Sequence, residues 1–495
     1  MNSVLYGYSV SPATWLYLSA LLIVGVYFRF NRLWSRRNLD LVLLLALSPG
    51  LLLIRSEAAT EKFRPDNPPA VGRPVDAVVD GSAGDDVARG ELTVRPPSRV
   101  PGGYGLLMAV SGLILIRVLL DPFSRWRPRY EQNMNPAGML WLGCCTLIFM
   151  GTRAIIDQMP SSTQRTVERA EQLTHRETAA AFDPTVAPLD LETGPAAPLV
   201  AAPVEMVFEH LAAPILAICA HLAVVIGLLF VGRKVFDDFS SGVAMVALYL
   251  LLPCTAFDVA EVNHVLPAAF LLWAVALYHR PMASGSLLAL ACGTLAFPVF
   301  LLPIWASFYG RRGCKPFVAG FLLTATILIA SFALTSESVQ QFVEQTTGTF
   351  RWYRAILQQP VIEATAGSAT VDAAGPAAAF WSPASYWEPY RLPVIVVFAI
   401  LVLVMTVWPR PKTLELLLAQ QTATVIAVQF WLPDYACSYV LWYLPSLLIL
   451  LFRPRLPRSF TSGSAAAETE RRTQPASEMT RTGLSRSGGP VTKLR

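Results

Sequence analysis

Residues 207–234 read VFEHLAAPILAICAHLAVVIGLLFVGRK, a long apolar run that ends at two basic residues, Arg233 and Lys234. An apolar run of about 17–25 residues has the length that an α-helix needs to cross a hydrocarbon core about 30 Å thick. The pattern recurs along a chain of 495 residues, of which 54% are hydrophobic and only 15% charged. Soluble domains carry about 25% charged residues. The sequence therefore predicts an all-α integral membrane protein.

These runs predict about eleven transmembrane helices. We expect them at 12–28, 39–54, 104–120, 136–154, 207–231, 241–257, 265–278, 316–335, 392–408, 413–432 and 438–452. Basic residues follow alternate runs, and cytoplasmic loops of membrane proteins carry an excess of Lys and Arg. All of the basic connections fall on one side if the N-terminus is outside and the C-terminus cytoplasmic. We therefore expect a multi-pass protein of the inner (plasma) membrane in this orientation.

The segment 283–309 does not fit a simple count of spans. It is long enough to cross once, yet Arg280 precedes it and Arg311 follows it, which puts both of its ends on the cytoplasmic side. Pro298 and Pro303 interrupt it, and proline removes a backbone donor and kinks a helix. We predict a re-entrant hairpin of two short helices, whose broken backbone must be covered by protein or line a cavity.

Long loops and a polar tail divide the chain further. Outer loops are expected at 55–103, which looks flexible, at 155–206 and at 336–391. The predicted parts are an N-terminal membrane region, 1–135, a second membrane module, 136–458, and a disordered cytoplasmic tail, 459–495. The second and third outer loops each contain a stretch that can form an amphipathic helix.

The predicted outer turn AFDVAEVNHV, residues 256–265, is short but polar, with Asp258, Glu261, Asn263 and His264. Two carboxylates, an amide and an imidazole at a membrane edge have the chemistry to bind a cation, a phosphate-linked metal or sugar hydroxyls. The alternative interpretation is a solvated turn whose charges only end two helices. The residues alone favour neither interpretation.

Other polar residues fall at the expected outer edge or within the membrane. Asp157 follows the fourth predicted helix, with Arg153 one turn earlier. Asp157 is either a general base with Arg153 nearby, or the two form an ion pair that only ends the helix. Arg391 and Asp434 are further candidates for binding a substrate. His221 lies at mid-membrane, where ionisable residues face the bundle interior.

The run Gln420, Gln421, Thr422, Thr424 and Gln429 makes one predicted helix unusually polar. Such residues either join helices to one another or line a cavity for a polar ligand, and the sequence favours neither.

No Walker loop, HExxH, GxSxG or CxxC motif is present in the sequence. Enzyme classes built on those motifs are therefore disfavoured. The net charge of +5 is small, and we predict no nucleic-acid partner.

The block from Arg233 to Thr335 resembles the GT-C superfamily of membrane glycosyltransferases, particularly the enzymes that use polyprenyl-phosphate-mannose. The resemblance rests on the order of RKVFDDF, YLLLP, EVNHV, LLWAVALYHRP and the hairpin, and on the closing DYACSYVLWYLPSLLILL. The turn keeps Asn263 of the Gly-Gln-x-Asn that such relatives often show. The hairpin lacks the Lys that they often carry before its Pro, because Thr294–Phe297 holds no base.

The resemblance implies a GT-C-like bundle in the lipid bilayer that moves a sugar from a polyprenyl-phosphate donor to an acceptor on the outer face. A carboxylate, with Asp157, Asp258 and Glu261 as candidates, takes the acceptor's proton. Arginines such as Arg153 or Arg391, or a divalent cation, offset the charge of the departing phosphate.

Three other interpretations stay open. They are a transporter or lipid flippase, a polysaccharide polymerase or ligase, and a catalytically silent GT-C-like membrane protein.

Overall fold

The computed structural model describes residues 11–62, 100–123, 132–156, 159–175, 194–349, 390–409, 412–432 and 439–454. These residues form helices and short connections, and none of them lies in a β-strand. Five helical segments are long and apolar enough to cross a membrane: 36–54, 102–123, 136–156, 196–235 and 313–334. Six more apolar helices have 10–17 residues. The chain is therefore an all-helical protein of membrane type, and the count of eleven crossings stays a prediction.

The main helices are named here in chain order. They are α1 (Pro12–Tyr27), α2 (Arg36–Lys62), α3 (Val100–Leu120), α4 (Pro136–Ile156), α5 (Ser161–His175), α6 (Ala196–Phe208), α7 (Ala212–Phe230), α8 (Phe239–Leu251), α9 (Pro253–Phe257), α10 (Val262–Ala276), α11 (Pro281–Thr294), α12 (Leu302–Ser331), α13 (Val339–Thr349), α14 (Arg391–Val407), α15 (Leu414–Val428) and α16 (Tyr439–Phe452). Each predicted span falls on one or two of these helices. Helices α5 and α13 lie within the second and third predicted loops, where amphipathic stretches were expected.

Local sequence explains where several helices begin. Ser11, Asp238 and Thr413 each accept a hydrogen bond from a backbone N–H in the first turn of the helix that follows. Such N-caps satisfy donors that have no partner inside the helix. Between α8 and α9 the chain is extended at Leu252, directly before Pro253, because a residue before proline is disfavoured in the α conformation.

Contacts between helix ends sort into two groups, one at each end of the bundle. Arg153 of α4 bonds to Ala256 near the 258–264 turn, and we call this the outer end. At the opposite, inner end, α1 ends at Tyr27. The Tyr27 hydroxyl donates to the carbonyl of Ala244, in the second turn of α8, at 2.8 Å. The sorting agrees with helices that alternate in direction. The side of the membrane that each end faces stays a prediction.

The segment predicted as a hairpin starts and finishes at the inner end. It comprises α11, a 3-10 turn at Phe297–Leu301 and the first part of α12. The Tyr309 hydroxyl donates to the carbonyl of Tyr278 at 2.8 Å, so the returning leg finishes beside the connection between α10 and α11. Gly310 then turns the chain into the rest of α12 with φ 59° and ψ −158°, a region that favours glycine. The return of this segment agrees with the prediction from its basic flanks.

The two helices α11 and α12 pack through glycine. A Cβ added to Gly285 would lie 2.0 Å from the Phe317 carbonyl oxygen, and one added to Gly320 would lie 2.2 Å from that of Met282. The backbones therefore approach to a distance that only glycine permits, as is common where membrane helices meet.

Large apolar side chains face outward on several helices. Trp141 and Ile148 on α4 are 73% and 70% exposed, and Val397 and Leu403 on α14 are 65% and 63% exposed. Exposed apolar surface on this scale is costly in water but is the expected covering for a helix that faces lipid. The core between the helices is meanwhile filled with buried Leu, Val, Ala and aromatic side chains.

Five charged side chains meet at the inner end. Arg117 on α3 pairs with Asp40 on α2, at 3.0 and 3.3 Å, and with Asp121 at 2.9 Å. Arg453, which directly follows α16, pairs with Asp121 and, at 3.4 Å, with Glu415 on α15. Asp40, Asp121 and Arg453 are each less than 5% exposed. This network joins α2 and α3 to the last two helices, α15 and α16.

Candidate functional site

The outer turn is a compact link between α9 and α10. The backbone N–H of Glu261 donates to the Asp258 carbonyl at 3.2 Å, and Val262 begins α10 directly afterwards. Asp258, Asn263 and His264 are buried, at 2%, 1% and 3% exposure, whereas Glu261 is half-buried. The polar residues of this turn are therefore directed mainly into protein, and Glu261 keeps some exposure.

Helix α5 from the second outer loop lies directly on this turn. The Ser162 hydroxyl donates to Oε2 of Glu261 at 2.9 Å, and the Thr163 hydroxyl donates to the Ala260 carbonyl at 2.7 Å. The Asn263 amide donates to the Ser162 carbonyl at 3.0 Å, and its Oδ1 lies 3.0 Å from the Thr166 hydroxyl. Both ends of the Asn263 side chain are thus occupied in holding α5.

Arg153 approaches the same turn from α4. Its Nη1 donates to the Ala256 carbonyl at 3.2 Å. Asp157 lies outside the described residues, between Arg153 and Ser162, which both contact the segment 256–261. The convergence of Asp157 with Asp258 and Glu261 therefore stays a prediction. The residues before and after Asp157 that contact the turn are Arg153 and Ser162.

His264 joins the turn to α16. Its Nδ1 accepts a hydrogen bond from the Trp442 indole N–H at 2.8 Å, with the two ring planes 10° apart. Phe297, in the 3-10 turn at the tip of the hairpin, stacks on Trp442 at 4.0 Å between ring centroids. Tyr439 packs edge-on against Trp442 at 4.1 Å. The tip of the hairpin therefore reaches the level of the first turn of α10, at the outer end.

His221 is held from both sides inside the bundle. Its Nδ1 lies 2.9 Å from the Tyr249 hydroxyl, and its Nε2 lies 3.1 Å from the Val259 carbonyl oxygen. Because a carbonyl can only accept, Nε2 carries the proton and Nδ1 accepts from the tyrosine. This neutral tautomer ties α7 to α8 and to the outer turn.

Two candidates from the sequence remain, Arg391 and Asp434. Arg391 begins α14, which packs against α12 and α15. Asp434 lies outside the described residues. In the described parts of the chain, no three His, Cys, Asp or Glu side chains are grouped so that they could hold a metal ion.

The partners of the turn are not evident from the sequence. Ser162, Thr163 and Thr166 lie at positions i, i+1 and i+4 of α5, which is one face of a helix. This stripe of small polar residues on an otherwise charged helix is the feature of the sequence that could have indicated a contact surface. The ring cluster around Trp442 had no comparable signal, because its members come from three distant segments.

No family model, curated protein or solved structure matches this chain.

Proposed function

We propose that this protein is a membrane glycosyltransferase that moves a sugar from a polyprenyl-phosphate donor to an acceptor at the outer end of the bundle. The observation that carries the proposal is the docking of α5 on the 258–264 turn. It holds a segment of the second outer loop against a turn that contains two carboxylates, with Arg153 beside it. A reaction on a lipid-linked substrate needs such a fixed polar surface at the membrane edge.

In the proposed reaction a carboxylate removes the proton from the acceptor hydroxyl while its oxygen attacks C1 of the sugar. The bond from C1 to the phosphate oxygen breaks, and polyprenyl phosphate leaves with inversion at C1. Asp157 and Glu261 are the candidate bases, since Asp258 is buried. Glu261 already accepts a hydrogen bond from Ser162, which engages its carboxylate in holding α5 on the turn. We therefore assign the base to Asp157 and a positioning role to Glu261.

Arg153 is the candidate for offsetting the charge of the leaving phosphate. One guanidinium nitrogen is engaged by the Ala256 carbonyl, which fixes the side chain beside the turn. A guanidinium is planar and presents its N–H donors in a rigid fork that matches the oxygens of a phosphate.

The experiment uses membranes that contain the full chain and polyprenyl phosphate carrying radiolabelled mannose. Transfer of label from the donor is measured for the wild type, Asp157→Asn and Glu261→Gln. Loss of a general base lowers the rate about 10²–10⁴-fold, so Asp157→Asn is expected to lose at least that lower factor. The control is Glu209→Gln, whose side chain is 76% exposed.

Two outcomes would overturn the proposal. Full transfer by Asp157→Asn would remove the assigned base. Wild-type membranes with no more transfer than membranes lacking the protein would exclude a transferase for this donor.

A catalytically silent GT-C-like protein is the second candidate, and one observation favours it. Both ends of the buried Asn263 amide are bonded to α5, so this residue serves to hold the helix on the turn. The same transfer experiment separates the two, because a silent protein would show no transfer while its α5 stays docked.

A further inference from the structure

The connection between α1 and α2 is short and basic. Residues 28–36 read FRFNRLWSR, with arginines at 29, 32 and 36 and no acidic residue. The connection lies at the inner end of the bundle, directly after Tyr27, which bonds to Ala244 of α8. Loops that join two membrane helices at their ends border the head groups of one lipid leaflet. The side chains of this connection are therefore placed to contact lipid head groups.

Two consecutive turns give the connection its shape. The backbone N–H of Arg32 donates to the Arg29 carbonyl at 3.3 Å, and that of Ser35 donates to the Arg32 carbonyl at 3.1 Å. Bonds from residue i+3 to residue i are typical of β-turns. Because the second turn follows the first at a spacing of three residues, Arg29 and Arg32 occupy the same position in successive turns. Both side chains are exposed.

Asn38, on the first turns of α2, holds both turns in place. Its side chain is 1% exposed. The amide Nδ2 lies 3.0–3.1 Å from the carbonyl oxygens of Arg29, Arg32 and Leu33. The amide Oδ1 accepts a hydrogen bond from the backbone N–H of Arg29 at 2.9 Å. The backbone of the connection is therefore fixed against α2 before any lipid binds.

Three large apolar side chains of the connection are exposed. Phe30, Leu33 and Trp34 have 63%, 61% and 88% of their surface accessible. Neighbouring exposed apolar side chains of this size mark a contact surface. Tryptophan is enriched where a membrane meets water, because its ring is apolar and its N–H is polar. The apolar part of this surface therefore fits the head-group level of a leaflet.

The two arginines of the turns have no acidic partner in the part of the chain that the structure describes. The Arg29 guanidinium donates to Oδ1 of Asn31 at 3.0 Å, and neither Arg29 nor Arg32 pairs with a described carboxylate. The buried Asp40 and Asp121 at the same end belong to the ion-pair network with Arg117. A guanidinium fork matches the oxygens of a phosphate, and basic residues beside a membrane helix attract anionic lipids.

We propose that the connection between α1 and α2 binds the head groups of anionic phospholipids, with Arg29 and Arg32 on the phosphate oxygens and the three apolar side chains in the interface. Arg36 adds a third exposed positive charge. A zwitterionic phospholipid carries the same phosphate together with a cation that balances it, so the positive charge of the site favours the anionic lipid. This proposal does not rest on the proposed function.

Trp34 is the reporter for the test, because it is the most exposed of the three apolar side chains. The full chain is placed in nanodiscs of phosphatidylcholine and phosphatidylglycerol. One of the two lipids at a time is brominated next to the head group, which quenches nearby tryptophans. The signal lost in Trp34→Phe isolates the quenching of this residue. At equal mole fraction, brominated phosphatidylglycerol is expected to quench Trp34 more than brominated phosphatidylcholine.

The variant is Arg29→Gln with Arg32→Gln, compared with its own Trp34→Phe form. It should lose most of the preference for phosphatidylglycerol, up to roughly fivefold for each arginine. The matched control is Arg311→Gln with Lys315→Gln, which removes the same charge from two exposed residues just after the hairpin returns to the inner end. Helix α12 packs on α11, α14 and α15, so the control should keep the preference.

Four outcomes would overturn the proposal. Equal quenching by the two lipids in the wild type would show contact without selection of the head group, and no quenching by either would place the connection away from the bilayer. Equal losses in the two double variants would assign the preference to the general charge of the inner end. A preference that persists in about 1 M salt, where the Debye length is about 3 Å, would contradict attraction by charge.

Discussion

The indole N–H of Trp442 donates to Nδ1 of His264 across 2.8 Å, although 178 residues separate the two in the sequence. Both side chains are buried, and the bond leaves the imidazole proton on Nε2 in the neutral ring. The contact fixes the first turn of α10 against the first turn of α16, with the hairpin tip stacked on the same indole.

Trp442→Phe is expected to destabilise the protein by about 1–3 kcal/mol, because it leaves a buried acceptor on His264 without a donor. The measurement is thermal or denaturant unfolding in nanodiscs. Trp141→Phe is the control. Trp141 is 73% exposed on α4, so its replacement is expected to change the stability little. Equal stability losses for the two variants would mean that the hydrogen bond contributes nothing.

Asn263→Asp is expected to loosen α5 from the outer turn. The carboxylate can still accept from Thr166 but cannot donate to the Ser162 carbonyl. Hydrogen exchange of α5 should therefore speed up, with a local cost of about 1–3 kcal/mol. Asn133→Ala, which removes bonds to Gly25 and Phe28 at the inner end, should leave exchange in α5 unchanged.

Arg453→Met is expected to cost about 3–5 kcal/mol, since it removes one partner of a buried ion pair and leaves carboxylates uncompensated. The double variant Asp121→Asn with Arg453→Met should recover part of that loss. A double-mutant cycle of unfolding free energies measures the coupling. Strict additivity of the two single changes would contradict the pairing of Arg453 with Asp121.

Gly285→Ala is expected to push α11 and α12 apart, because the new methyl group would overlap the Phe317 carbonyl. Overpacking of this kind costs about 1–3 kcal/mol, to be read from Tm. Gly105→Ala is the control, since nothing lies within 4 Å of its Cβ position and alanine is the better helix former. A Gly285→Ala variant as stable as the control would contradict the close approach of the two backbones.

The predicted orientation is testable with cysteines placed at two exposed residues. His210, between α6 and α7, and Trp34, between α1 and α2, are each 88% exposed. A maleimide that cannot cross membranes should label His210→Cys on intact cells, and Trp34→Cys only after permeabilisation. The reverse pattern would invert the proposed orientation, and labelling of both on intact cells would contradict the alternation of helix directions.

The sequence predicted the helices and the return of the hairpin for clear physical reasons. Apolar length determines where a helix can cross, and the basic flanks at Arg280 and Arg311 required that both ends lie together. The close bond between Tyr309 and Tyr278 agrees with that inference. These features depend on residues that are close together in the chain, so they can be predicted from a single sequence.

The candidate site was predicted only in part, because its partners are distant in the chain. Asp258, Glu261, Asn263 and His264 were noticed as polar residues of a short turn, yet α5 and Trp442 contact them from about 100 and 178 residues away. Likewise, Arg453 directly follows the last predicted span, 438–452, and is one of the basic residues on which the predicted orientation rests. Its pairing with Asp121 depends on packing that no local pattern records.

The inner-end network also sets an order of events during synthesis. Asp121 emerges from the ribosome 332 residues before Arg453, which at 5–20 residues per second corresponds to a delay of roughly 15–65 s. During that interval Arg117 and Asp40 are already present, whereas the last helix is not. A chain that ends before Arg453 therefore leaves Asp121 with Arg117 as its one cationic partner in this network. Synthesis of α16 and of Arg453 after it supplies the second positive charge.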